Sequence, residues 1–190
     1  MSTWGRRYRY VGPPDLRSLA GPGREGRIIR SVGDLDIWAG ERSAAELDEP
    51  FTFVVGLDGL LRLAPRRSEH VVCAGGNPVL SAGEVGFRRE AGRWTVGDVS
   101  NQSTGYCPDI SSWPAVARAL DRAGLVDRPG HFTHDVVFRR CERCHQLNIV
   151  RDDDFVCVFC GAGLPAIWNI DPDGQGGVPQ QPSAPPTSPR

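Results

Sequence analysis

The sequence contains no lysine, so all 22 of its basic residues are arginine. They are offset by 23 acidic residues, which gives a formal net charge of −1. A charge so close to zero provides no overall attraction to nucleic acid or to an anionic membrane surface. The chain also lacks an apolar run long enough to cross a bilayer, and its first residues, MSTWGRRYRYVGPP, lack the apolar segment of a signal peptide. We therefore expect no membrane association and a cytoplasmic location.

Pairs of short apolar segments on either side of turn residues predict an antiparallel sheet. FTFVV and LLRLA flank the turn GLDG, which indicates a β-hairpin with its tip near Asp58 and Gly59. GEVGFRR and RWTVGDVS flank the turn EAG and predict a second hairpin. HDVVFRR, residues 134–140, predicts a last strand that leads directly into a cysteine-rich region.

The segment SSWPAVARALDRAG predicts the main helix. Ser111 or Ser112 could cap its start, and Gly124 could end it. Val116 and Leu120 are four residues apart and share one helix face, which we expect to pack on the sheet. The predicted fold class is therefore α+β, an antiparallel β-sheet with one main helix packed on it.

The six cysteines fall into two groups by spacing. Four of them form two Cys-x-x-Cys pairs separated by 12 residues: Cys141, Cys144, Cys157 and Cys160. Four thiolates spaced in this way can close a tetrahedral zinc site that has no open position, so the expected role of the metal is structural. We expect the other two, Cys73 and Cys107, to stay reduced as thiols, with a disulfide between them as the alternative if they meet in space.

The first pair also fits a different cofactor, because CERCH, residues 141–145, matches the motif to which c-type haem is attached. In that hypothesis His145 is an axial iron ligand. Haem leaves the second cysteine pair without a role, and it is attached outside the cytoplasm. Zinc is therefore the preferred interpretation, with an iron centre as a further alternative. With zinc, His145 is a neighbour of the site and not a ligand.

Residues 138–165 resemble a zinc ribbon. QLNIV and DFVCVF predict two short strands joined by the polar turn RDDD, so that the metal would hold the base of a hairpin. Gly161 directly follows the second pair and suits the positive φ that such a turn often needs.

These patterns divide the chain into four segments. They are an N-terminal segment of uncertain structure (1–48), an antiparallel β/α domain (49–137), the zinc ribbon (138–168) and a tail (169–190) that is rich in proline and glycine. Within the first segment, RYRYV could form a strand and PPDLRSLA predicts a short helix. The tail has no apolar periodicity, and we expect it to be disordered.

A second resemblance covers roughly residues 66–120. AGGNPVLSAGE followed by NQSTGYCP is similar to a module of uncharacterised bacterial proteins, some of them associated with toxin and conflict systems. In that module Gly-x-Pro-Val and Ala-Gly-Glu precede Asn-x-Ser-Gly-His-Tyr-x-Pro. The residues that fit the pattern are Pro78, Val79, Ala82, Gly83, Glu84, Asn101, Ser103, Tyr106 and Pro108. Thr104 and Gly105 replace the glycine and histidine, so the resemblance implies kinship and a bacterial setting but no activity.

Four side chains in this region could do acid–base or nucleophilic chemistry: His70, Cys73, Glu84 and Cys107. The sequence does not show whether they converge. His70 and Cys73 are three residues apart and share a face only on a helix or turn. The alternative is that the cysteines are buried and serve packing.

The segment NQSTGYCP has two interpretations as well. It could be a loop that faces a ligand. It could equally be a turn in which Asn101 and Ser103 bond to the backbone and Gly105 adopts a positive φ.

Three functions remain open. The first is a zinc-ribbon-containing binding or adaptor protein with a protein partner in a bacterial defence or toxin-immunity system, favoured by the complete structural site. The second is nucleic-acid binding, supported by WGRRYRY but opposed by Glu142 and the run Asp152–Asp154 among the ribbon's arginines. The third is a toxin-like enzyme that uses the central histidine, cysteine and glutamate residues.

Overall fold

Five strands form an antiparallel sheet, in the spatial order β1-β3-β2-β4-β5. Their bounds are Arg27–Ile29 (β1), Phe51–Gly56 (β2), Leu61–Ala64 (β3), Val79–Glu90 (β4) and Arg93–Val99 (β5). The computed structural model describes residues 5–170. The expected α+β fold is confirmed, and the two predicted hairpins are present as β2-β3 and β4-β5.

Residues with positive φ form the turns of both hairpins. Gly59 has φ +72° in the β2-β3 turn, and its N–H donates to the carbonyl of Gly56 at 2.9 Å. Ala91 and Gly92, with φ +48° and +79°, form the turn between β4 and β5. Left-handed residues at both central positions match the twist of the two strands that a short turn joins.

Both faces of the sheet are covered, which explains the continuous apolar run FTFVV in β2. Phe51, Phe53 and Val55 belong to the core on one face. Val54 belongs to a second core on the opposite face. A strand that is buried on both faces has no need for alternating polar residues.

The main predicted helix is α5 (Trp113–Arg122), and it packs on the first face of the sheet. Val116 and Leu120 are buried in that core, as their spacing predicts. Gly124, with φ +79°, follows the helix and allows the chain to leave it in a left-handed conformation.

The predicted serine cap of α5 is wrong. Ser112 occupies the N-cap position, but its side chain makes no capping hydrogen bond. Its hydroxyl instead contacts that of Ser81 in β4 at 3.0 Å. Asp109 accepts the N–H of Ser111 at 2.9 Å and so caps the 3₁₀ turn Ile110–Ser112 that leads into the helix.

A second helix on the first face, α2 (Val32–Gly40), was not among the predictions. Ser31 caps it by accepting the N–H of Asp34 at 3.1 Å. Leu35 and Trp38 are buried in the same core as the residues of α5. Part of the N-terminal segment therefore belongs to the central domain.

Three shorter helices complete this domain. The predicted helix in PPDLRSLA is present as α1 (Pro14–Ser18), and α3 (Ala44–Leu47) precedes β2. The last, α4 (His70–Cys73), packs on the second face of the sheet. The segment RYRYV is not a strand, although Tyr8 makes an isolated bridge with Val79 at the start of β4.

The cysteine-rich region has its own two-stranded sheet, formed by β6 (Val137–Arg140) and β7 (Leu147–Val150). The predicted pairing of QLNIV with DFVCVF is wrong, because the partner of QLNIV lies before the first cysteine pair. DFVCVF makes isolated bridges, one of them between Val156 and Gly163. The second cysteine turn begins at Cys157, inside DFVCVF, so this segment cannot continue as a strand.

The ordered chain extends past the predicted end of the ribbon at residue 168. Asn169 makes two hydrogen bonds of 2.8 Å to the backbone of Arg140, and Ile170 is buried. The prediction of a disordered tail fails for these two residues. The rest of it concerns residues 171–190, which lie outside the described residues.

Candidate metal centre

The four ribbon cysteines come together at one point. All four sulfur atoms lie within 4.8 Å of one another. Two of the distances, Cys141 Sγ to Cys160 Sγ and Cys144 Sγ to Cys157 Sγ, are 3.6 Å. A tetrahedral zinc–thiolate site with bonds of about 2.3 Å requires sulfur atoms about 3.8 Å apart. The four thiols are therefore arranged to hold a metal ion.

The two cysteine pairs adopt the same backbone turn. The N–H of His145 donates to the carbonyl of Cys141 at 2.8 Å, and the N–H of Gly161 donates to that of Cys157 at 2.8 Å. His145 and Gly161 have φ of +60° and +70°. The positive φ predicted for Gly161 is confirmed, and His145 takes the equivalent position in the first turn. His145 is not part of the cysteine cluster.

Backbone N–H groups favour the thiolate form of two cysteines. The N–H of Cys144, with that of Arg143, lowers the pKa of Cys141. Burial raises the pKa of Cys157, but the N–H groups of Phe159 and Cys160 and the neighbouring thiols outweigh it and bring this pKa to about 6. These donors would stabilise negative charge on the sulfur atoms that bind a cation.

Cys144 has the opposite tendency. The N–H of Gln146 favours its thiolate, but burial and the three other thiols raise its pKa to about 12. Thiols so close together cannot all lose their protons unless a cation is present. Binding of a metal would therefore release protons from this cluster.

Asn148, a buried polar residue of β7, connects the two cysteine turns. Its Nδ2 donates to the carbonyl of Gln146 at 2.9 Å and lies 3.5 Å from the sulfur of Cys157. Its Oδ1 accepts the N–H of Val158 at 3.1 Å. The sequence analysis did not identify Asn148 as a functional residue. The signal that could have done so is a polar residue on the buried face of a predicted strand.

Arg139 bonds the start of the ribbon to its end, and Trp168 at that end attaches the ribbon to the sheet domain. Arg139 donates to the carbonyls of Phe138, Pro165 and Ala166, and it is only 7% exposed. Trp168 donates from Nε1 to the carbonyl of Cys107 at 2.8 Å. Because Arg139 is buried, little of its charge lies at the outer surface of the ribbon, although its side chain reaches the wall of a cavity.

The segment NQSTGYCP makes a second attachment, to the chain just before β6. Asn101 is fully buried, and its Nδ2 donates to the carbonyls of Pro108 and Val136 at 2.8 Å each. Its Oδ1 accepts the N–H of Val136 at 2.7 Å. The turn interpretation of this segment is therefore the one that the structure supports.

One detail of that interpretation is wrong. The residue with positive φ is Cys107, at +46°, and not Gly105. Gly105 is needed for a different reason, because a Cβ at this position would overlap the ring of Tyr10. The hydroxyl of Ser103 accepts the N–H of Tyr106 at 3.4 Å, as a turn residue should.

The four candidate catalytic side chains make separate contacts. His70 Nε2 lies 2.9 Å from the carbonyl of Gly83, and the Cys107 thiol donates to the carbonyl of Thr104 at 3.2 Å. Glu84 lies in β4 opposite Thr52. Within residues 5–170, no hydrogen bond joins one of these four side chains to another.

Burial also changes the pKa of three of these groups. Burial raises the pKa of both Cys73 and Cys107 to about 12, which leaves them as neutral thiols and weak nucleophiles. Burial lowers the pKa of His70, against the effect of its bond to Gly83. Cys73 and Cys107 are free thiols in separate core clusters, so they do not form a disulfide.

The second cysteine turn exposes apolar side chains. Val158 and Phe159 lie between its two cysteines and are 78% and 62% exposed. Glu142 and Arg143 occupy the equivalent exposed positions in the first turn. Ile149 and Val156 add further exposed apolar area to the ribbon.

Within residues 5–170, no helix has both the length and the apolar character needed to cross a membrane. No protein-family model, curated protein or solved structure matches this chain.

Proposed function

We propose that this chain is a bacterial binding or adaptor protein whose ribbon is held by one structural zinc ion and contacts a protein partner. The observation that carries the proposal is the closed set of four cysteine sulfur atoms within 4.8 Å of one another. Four thiolates fill a tetrahedral zinc ion and leave no position for water or substrate. The expected role of the metal is to fold the ribbon.

Zinc fits the donor set better than haem does. Haem attachment would use the first cysteine pair and His145, but each sulfur of that pair lies 3.6 Å from a sulfur of the second pair. A tetrahedral set of four sulfur donors suits zinc or a single iron ion. Of these two metals, we propose zinc.

A binding role is supported by how the reactive residues are used. The thiols of Cys73 and Cys107 are buried and neutral, and His70 is bonded to the backbone. Residues 66–120 resemble a module of uncharacterised bacterial proteins, some of them associated with toxin and conflict systems, which is the basis for proposing a partner in a bacterial defence or toxin-immunity system.

The exposed pair Val158 and Phe159 is the proposed contact surface for the partner. Large apolar side chains at the tip of a turn lose contact with water when a partner covers them, and aromatic residues are enriched in such contacts. The equivalent residues of the first turn, Glu142 and Arg143, are charged and provide a matched comparison within the same ribbon.

The metal is tested by elemental analysis and an absorption spectrum of protein purified from a bacterial host. We expect one zinc per chain and a colourless solution, and we expect Cys157→Ser to lose the metal while Cys107→Ser keeps it. A haem or iron band would contradict the zinc assignment. Equal zinc content in the two variants would contradict the assignment of the ligands.

The partner is tested by affinity capture and mass spectrometry with three forms of the full chain. A protein captured by the unmodified chain should be lost from the double variant Val158→Ser/Phe159→Ser and retained by Glu142→Ser/Arg143→Ser. All three forms should contain one zinc. If both double variants retain the same protein, this surface is not the contact. Salt-sensitive capture of RNA or DNA in place of a protein would favour the nucleic-acid hypothesis.

A further inference from the structure

A cavity of about 340 Å³ lies where the ribbon meets the sheet domain. Its wall is formed by the N-terminal segment, the turn before α5, strand β6 and residues 166–168 at the end of the ribbon. The charged and aromatic side chains that line it are those of Arg6, Asp109, Arg139 and Trp168. The volume is within the range of pockets that hold small molecules. None of the four cysteines lines this cavity.

Arg139 is a buried cation without a carboxylate partner among residues 5–170. Three of its N–H groups donate to backbone carbonyls at 2.6–2.9 Å. A guanidinium has five N–H donors, so two are left over. Burial lowers the pKa of Arg139, against the effect of the charge of Asp109. Carbonyl groups solvate this charge but do not neutralise it, and a buried charge without a counter-ion is costly.

Arg6 brings a second cation to the same cavity. Its guanidinium carbon lies 4.5 Å from the centre of the Trp168 ring. Stacking of this kind fixes the guanidinium plane and leaves its N–H edges free. In the described part of the chain, Arg6 makes no hydrogen bond or ion pair.

The hydroxyl of Tyr8 is buried and makes no hydrogen bond of good geometry, but the backbone of Asp109 and the side chain of Ser111 lie within hydrogen-bonding range of it. Burial, and then the negative charge of Asp109, raises the pKa of Tyr8. Asp109 and Ser111 both act on this hydroxyl and both line the cavity.

We propose that this cavity binds a small organic anion, with its carboxylate or phosphate group at Arg6 and Arg139 and its apolar part against Trp168. Two arginines face one aspartate, so the wall carries a net positive charge. Ile110 and Ile167 are exposed at the cavity and provide apolar contacts beside the charged groups. Arginine pairs with carboxylate and phosphate through two parallel hydrogen bonds.

This assignment goes beyond a zinc-stabilised adaptor, because it adds a ligand at the joint between the two parts of the protein. Asp109 and Ser111 belong to the sheet domain, whereas Arg139 and Trp168 belong to the ribbon. A ligand that contacts both sides would stabilise the position of the ribbon on the sheet.

The test is isothermal titration calorimetry on the zinc-loaded full chain with benzoate, phenyl phosphate and benzamide. We expect saturable binding of one molecule of benzoate or phenyl phosphate per chain, and no binding of benzamide, which has the same ring without the charge. Binding of benzoate alone identifies a carboxylate site, and binding of phenyl phosphate alone identifies a phosphate site. Failure of both anions to bind at millimolar concentration overturns the proposal.

Two variants locate the binding. Arg6→Gln should weaken it about tenfold or more, because a charge-assisted hydrogen bond is lost. Arg7→Gln removes the same charge one residue away and should leave the affinity unchanged, because Arg7 does not line the cavity. Equal losses in the two arginine variants would show a nonspecific effect of charge and refute the site.

Discussion

Replacement of Asn148 by alanine should weaken zinc binding, although Asn148 is not a ligand. Its amide contacts the carbonyl of Gln146 after the first cysteine pair and, in the second turn, the sulfur of Cys157 and the N–H of Val158. The variant leaves that N–H without its acceptor and removes a donor from the thiolate. Loss of such an outer contact usually weakens metal binding 10- to 100-fold, which corresponds to about 1.4–2.7 kcal/mol.

The affinity is best measured by competition with a chromophoric zinc chelator, using the full chain. Asn169→Ala is the matched control, because Asn169 also makes two hydrogen bonds in the ribbon region but bonds only to Arg140. Asn148→Asp should bind zinc more weakly than Asn148→Ala, because it places a negatively charged carboxylate next to a thiolate. If Asn148→Ala binds zinc as tightly as the unmodified chain, or if Asn169→Ala loses as much affinity, the amide does not act on the metal site.

Three further predictions concern the sheet domain. Below about pH 6.5 the chain should lose stability, because His70 gains a proton in the unfolded state but not in the folded state, where burial lowers its pKa. His70→Gln should reduce this loss, and urea titrations at several pH values measure the free energy of unfolding of both forms. Gly83→Ala should destabilise the chain by about 1–3 kcal/mol or more, because its Cβ would overlap the carbonyl oxygen of Ser100. The Cβ of Gly97→Ala would meet only ordinary contacts, so this control should lower the melting temperature less in thermal denaturation. Asn101→Ala leaves three buried backbone groups unpaired and should cost at least about 3 kcal/mol in urea denaturation; a cost below about 1 kcal/mol would contradict its role in holding the ribbon.

Predictions from the sequence succeeded where the signal was local and chemical. The spacing of the four cysteines identified the set that comes together, because a metal site of this kind uses short turns that the sequence displays directly. The hairpin β2-β3 was predicted because a glycine-containing turn separates two apolar segments. The helix α5 was predicted because its buried residues have helical spacing.

Predictions failed where partners are distant in the sequence. QLNIV was assigned the next apolar segment as its partner, but it pairs with residues on the other side of the first cysteine turn. The helix α2 was missed because VGDLDIWAG has no clear apolar face: Ile37 is exposed, while Leu35 and Trp38 are buried. Nothing local indicates that these two residues meet a sheet formed mostly by later strands.

The central segment and the ribbon are best understood as one structural unit. The side chain of Asn101 bonds to the chain just before β6, and the backbone carbonyl of Cys107 accepts a hydrogen bond from Trp168, the last residue of the ribbon. The polar groups of NQSTGYCP therefore hold neighbouring parts of the chain together, which gives residues that look functional in the sequence a structural role. If a related chain retains this segment, we expect it to retain a structure in the place of the ribbon as well, because the fully buried amide of Asn101 would otherwise lose the partners supplied by Val136.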